Sequence, residues 1–252
     1  MLGLLLLETA IGGLAILWTV DLWGKVKWGF FKLVGVTIAV SAVLGWLAVR
    51  GPLLDAPAPS SAKVANILLL LFAIDSVLWQ VLLFAKERKA ARILGIAAVP
   101  IGLAGLVAIG LDPQASQSSG VAIAQLLAGT LFAGAVLDGL LLGHWHLIDR
   151  RLSREPITRF NILFLIGGAA VIATALPMLG GGGAVDQRIS PLLGAGDIVV
   201  WLAVGLAALC LVIGGFIRAL TREDSIQSAT GLFYLGVLMG FAAEFAAKVD
   251  FF

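Results

Sequence analysis

Runs of about 20 predominantly apolar residues, the length a helix needs to cross the hydrocarbon core of a bilayer, recur eight times along the chain, near residues 2–22, 29–49, 64–85, 91–111, 121–147, 158–179, 197–217 and 227–247. Polar and helix-breaking residues collect between them. The longest connections are GPLLDAPAPSSAK, where prolines and serines mark an irregular loop, and GGGGAVDQRISPLLGAG, whose four glycines do not hold a helix. No stretch is left for a soluble domain. The pattern predicts an all-α fold: a polytopic transmembrane helix bundle of eight spans, with residues 1–252 as one integral membrane domain.

Composition agrees with the pattern. Of the 252 residues, 60% are apolar and 13% are charged, and the mean hydropathy is +1.06, far from the mix typical of soluble domains. The lipid bilayer is the first partner expected. The first apolar run lacks a basic leader and a small-residue cleavage site, so it reads as a retained span. The single cysteine, Cys210, excludes an internal disulfide and any multi-cysteine metal centre within the chain.

Charge sets an expected orientation. One set of alternate loops and flanks carries Lys25, Lys27, Lys32, Lys86, Arg88, Lys89, Arg92, Arg150, Arg151, Arg154, Arg159, Arg218 and Arg222, which leaves Arg50, Lys63, Arg188 and Lys248 for the other side. By the positive-inside rule the richer side is cytoplasmic, which places both termini outside in a bacterial plasma (inner) membrane. The net charge of +2 reflects this asymmetry. It is not the footprint of a nucleic-acid-binding surface, and nucleic acid is not expected as a partner.

A short internal match suggests a repeat over 1–112 and 113–252. Glu8 and Asp21 lie thirteen residues apart in the first span, and Gln125 and Asp138 keep that spacing in the fifth, with Gly12 and Gly129 at corresponding positions. Four spans per unit is an even number, so a duplication gives two parallel four-helix halves. In layout alone this resembles the quinol-interacting membrane subunits of the polysulfide-reductase type. The 31 glycines, among them the pairs Gly139/Gly143 and Gly236/Gly240, predict close helix contacts. Pro100 predicts a kink in the fourth span.

Acids within spans carry the candidate chemistry, because a charge at the centre of a membrane helix costs about 2.5 to 3.5 kcal/mol even on the lenient insertion scale. Glu8, Asp75 and Asp138 are candidate proton-handling groups; Asp21 and Glu244 read as interface residues, Glu244 within pairing reach of Lys248 four residues on. Each acid has a plainer reading as a hydrogen-bonding link between helices. His144, Trp145 and His146 form the second candidate, in the stretch DGLLLGHWHLIDRRLSREP. On a helix, residues two apart point about 200° from each other. The histidines therefore do not share one metal unless the helix unwinds after Gly143, and they do not ligate one haem from both sides. No metal site is assigned and haem is disfavoured. A quinone fits better, with His144, Trp145 and His146 at the basic interface and His144 as a proton step. The register predicts that His144 faces inward and that His146 begins the exposed basic end. The plainer reading is an interfacial anchor.

Two functions are left. The first is a membrane subunit of a multi-subunit respiratory or redox complex that handles quinone, protons or both, its redox centres supplied by other subunits. The alternative is a proton-coupled transporter of a small solute. No self-contained catalytic motif is present.

Overall fold

The computed structural model describes residues 1–20, 22–23, 25–54, 59–111, 118–149, 151–178 and 196–249, with backbone alone at 196 and 197. Asp21, Arg150, Arg188 and the four-glycine run lie outside the described residues. Eight helices long and apolar enough to cross a membrane are present among those described. They are α1 (Leu2–Thr19), α2 (Trp28–Leu54), α3 (Ser60–Ala85), α4 (Arg88–Gly110), α5 (Ser119–Ile148), α6 (Glu155–Ala175), α7 (Gly196–Arg222) and α8 (Ile226–Ala247).

Each corresponds to one apolar run, with shifted ends. The fifth helix continues to Ile148, the seventh runs five residues past its apolar core to Arg222, and the second continues through Pro52. The sixth starts at Glu155 because Pro156 suits a first helical turn, where its missing amide is not needed. Helix α4 remains helical through Pro100.

Lipid on one side and protein on the other explains why the spans lack sharp amphipathic periodicity: both faces are apolar. In α3, Ile67, Leu71, Ile74, Leu78 and Val81 are exposed, while Ala65, Leu69, Phe72, Ser76, Trp79 and Leu83 are buried. Helix α1 is the exception. It packs against α2, α4, α5 and α8, and most of its circumference is buried.

The packing order runs round two rings. Helices α1, α2, α3 and α4 contact one another in succession, and α4 returns to α1; α5, α6, α7 and α8 do the same. The α1–α5 contact joins the rings. The α3–α4 and α7–α8 turns also match: each turns on a non-glycine residue in left-handed conformation, Lys86 (φ 64°) and Asp224 (φ 63°). In each, the next amide reaches back five residues, Glu87 to the Leu82 carbonyl and Ser225 to that of Leu220.

Two glycines allow α1 and α5 to meet. A Cβ at Gly12 would overlap the Thr130 carbonyl oxygen, and one at Gly134 would overlap the Gly12 backbone. Backbones this close leave no room for any side chain.

The alternating helices gather the α1–α2, α3–α4, α5–α6 and α7–α8 connections at one end, here the basic end. Several contacts tie it together. Lys27 pairs with Asp149 at 3.0 Å and Arg154 with Asp224 at 3.1 Å. Arg159 donates to the Val20 carbonyl at 3.2 Å, and Trp28 to that of Leu83 at 2.8 Å. Beneath them Trp18, Trp23, Trp28 and Phe31 form a chain of ring contacts 5.0–6.1 Å apart, which reaches Trp79 and, through Phe30, Trp145.

Candidate functional site

The ionisable residues buried in the bundle are concentrated where α1, α5 and α8 meet. Helix α1 brings Glu8 to the end opposite the basic loops, and α8 brings Glu244 and Lys248 to the same place. All three are 0–1% exposed. Lys248 lies 3.0 Å from Glu8 Oε1 and forms a hydrogen-bonded ion pair with Glu244 Oε2, its i−4 neighbour. Gly129 of α5 makes the space, since a Cβ there would strike both Glu244 and Lys248. The Glu244–Lys248 pair was expected from spacing. Glu8 as its third member was not, because no local pattern shows that α1 and α8 meet.

Asp138 lies deeper and stands apart. It is 1% exposed, on the face of α5 that meets α1. Gly13 leaves the space, a Cβ there falling 3.1 Å from Asp138 Oδ1. Its Oδ2 is buried and has no hydrogen-bond partner among the described residues. Other buried polar groups in the bundle do link helices. Asn161 donates to the Gly214 carbonyl at 3.0 Å, joining α6 to α7, and Trp46 donates to Asn66 at 3.0 Å, joining α2 to α3. Asp138 Oδ2 makes no such link. A buried polar atom without a partner is costly in structural terms, which is why such atoms point to function.

Asp75 is 8% exposed on α3, outside the α1–α5–α8 contact. The structure therefore does not bring it together with Glu8 and Asp138. An apolar recess of about 270 Å³, walled by Val43, Trp46, Leu70 and Ile74, lies between α2 and α3.

The histidines take places opposite to those expected. Because α5 stays helical to Ile148, His144 and His146 diverge and share no ligand, which closes the route to a metal through unwinding after Gly143. His146 is the more buried, at 9% exposure, and its Nδ1 has no hydrogen-bond partner among the described residues. It continues the buried stripe of Asp138 and Leu142 at i+4 spacing. Gly139 and Gly143, on the same side, admit Phe233 and Thr230 of α8. His144 is rotated to the edge of the α5–α8 contact, half-buried.

At that edge His144 meets Tyr234, the only tyrosine in the chain. The hydroxyl lies 2.6 Å from His144 Nε2, and the two rings are edge-on at 5.1 Å. His144 Nδ1 lies 3.1 Å from the Leu140 carbonyl. A carbonyl only accepts, so Nδ1 carries the proton of the neutral ring, and Nε2 accepts from the tyrosine hydroxyl. Tyr234 is 50% exposed on a lipid-facing surface with Leu235 and Leu238. Trp145 packs on Phe30 within the aromatic cluster, 6.1 Å between rings, and lies over Gly29. Its buried indole nitrogen has no partner among the described residues.

Depth along α5 orders these groups. Gly129 marks the level of the Glu8 group, Asp138 lies nine residues on, about 14 Å along the axis, and His146 eight further, about 12 Å. Both gaps exceed a direct hydrogen bond, so protons crossing them require water. Comparison with family models, curated proteins and solved structures finds no match.

Proposed function

We propose that this protein handles protons within the membrane as a subunit of a redox complex, exchanging them with a quinone at its basic end while other subunits supply the redox centres. One observation carries the proton reading: Asp138 is buried at the contact of the two four-helix rings with an oxygen that holds no neighbour together. Helix association accounts for the Asn161 amide and Trp46 indole donors but not for this carboxyl oxygen. Glu8 with its partners and His146 supply steps on either side of it, and Asp75 stands off the line as a separate group.

The His144–Tyr234 pair supports the quinone part. Of the two protons a quinol head entering from the lipid would lose as its two electrons pass to a centre on a partner subunit, one would go to the Tyr234 oxygen as the tyrosine proton moves to His144 Nε2, and the other would leave to water at the basic interface. This places the quinone contact on His144 and Tyr234, with Trp145 behind as packing and His146 as an inner proton step. A proton-coupled transporter is the second reading, favoured by the ion group of Glu8, Lys248 and Glu244, which gives a charge-carrying site at the far end without any quinone. In either reading the chain sits in a bacterial plasma membrane with its basic end in the cytoplasm, as the lysines and arginines direct.

Purification in mild detergent separates the two. A redox subunit brings stoichiometric partner chains and bound quinone, and Tyr234→Phe and His144→Ala lower the quinone content several-fold with assembly intact. Isolation as a lone chain or homo-oligomer, with quinone absent from the unaltered protein, contradicts the redox reading.

A further inference from the structure

The group farthest from the basic end has unequal charges. Among the described residues, Glu8 and Glu244 share one buried ammonium, Lys248, and all three are excluded from solvent. Glu8 Oε2 and Glu244 Oε1 are buried with no hydrogen-bond partner among the described residues. With both carboxyls ionised, one negative charge is left uncompensated where an isolated ion is strongly disfavoured.

Among the described residues, the elements packed around α1 offer little relief. Helix α5 presents Gly129 there. On α2, Arg50 is exposed and lies over Trp46, and the charged residues of α4, Arg88, Lys89 and Arg92, are at the basic end. The Met1 amino group acts on Glu8 electrostatically but is only partly buried.

We propose that Glu8, Glu244 and Lys248 form a site holding one exchangeable proton, shared between the two carboxyls beside a permanent ammonium. A metal cation fits poorly, because Lys248 Nζ already occupies the space on which both carboxylates converge. A proton needs no coordination shell and satisfies an unpartnered oxygen by giving it a donor. The ammonium makes release easier: loss of the proton leaves one net negative charge, where a bare carboxyl pair would carry two. The inference rests on the proton-handling reading and assigns its step at the end opposite the quinone.

The test is infrared spectroscopy of the full-length protein in lipid vesicles, titrated with pH in potassium buffer. An Asp138→Asn background removes that carboxyl, and comparison between variants cancels Asp75. The protonated-carboxyl band should contain one group that Glu8→Gln and Glu244→Gln each eliminate, and Lys248→Met should double that contribution by leaving two acids with no cation. If Lys248→Met fails to fold, the two glutamine variants decide alone. An unchanged band in both glutamine variants overturns the proposal, as does loss of the band when sodium replaces potassium at fixed pH. The band present while vesicles carrying the protein with Asp138 intact show no proton flux leaves the site standing and removes the transport reading; flux in that protein without the band in the test background removes only this site.

Discussion

Lys248 is an unusual residue to find fully buried, and its two acidic neighbours explain how it is tolerated. Removing one partner of a buried ion pair costs about 3–5 kcal/mol, because the other is left uncompensated. Lys248→Ala leaves two acids that must both take up a proton, and should lower unfolding stability in detergent by up to about that amount, less as the pH falls. Glu244→Gln, which keeps Glu8 and Lys248 as a neutral pair, should cost much less. Equal losses in the two variants would contradict this account of the group. Two of the three members were legible beforehand: Glu244 and Lys248 are four apart, and local spacing is what a sequence displays. Glu8 was recognisable as a misplaced acid, but its partner lies 240 residues away. Tyr234 escaped for the same reason. Nothing local marks a lone tyrosine on an apolar helix as the partner of a histidine 90 residues earlier.

At the scale of elements, the eight helices were legible because span length is dictated by bilayer thickness, and hydropathy reports it directly. Rotation about each helix axis was not. In α5 the face toward α1 and the face toward lipid are both built from Leu, Ala, Gly and Val, so the stripe through Leu137, Leu141 and His144 looked as suitable for the core as the one through Asp138, Leu142 and His146. Glycine contacts across α5 settle that rotation. The contact of α1 with α5 makes a strong demand on sequence. Gly12→Ala places a methyl on the Thr130 carbonyl and should destabilise the bundle by at least about 1–3 kcal/mol, the usual cost of overpacking. Gly231→Ala, with open space around its Cβ position, should be neutral or stabilising by up to about 1 kcal/mol, through helix propensity. Thermal unfolding in detergent compares the two, and similar behaviour would show that the α1–α5 crossing is not as close as described.

Across the whole molecule, the arrangement places ionisable groups at three depths along α5: Glu8 with Glu244 and Lys248 at the level of Gly129, then Asp138, then His146 near the basic end with its clasp of Lys27–Asp149 and Arg154–Asp224. Two of these depths could be anticipated from intramembrane acids alone; that the Glu8 group and Asp138 both lie where α1 meets the second ring, with Asp75 away from it, depends on tertiary packing. The central claim is that Asp138 exchanges protons between the other two levels. It is tested most directly by proton flux into vesicles carrying the purified protein, with any partners that accompany it, followed with a pH-sensitive dye. Asp138→Asn keeps the shape and polarity of the side chain but cannot release a proton, so it should lower flux by about ten-fold or more while expression, assembly and thermal unfolding stay near those of the unaltered protein. Undiminished flux in a well-folded Asp138→Asn protein would contradict the account.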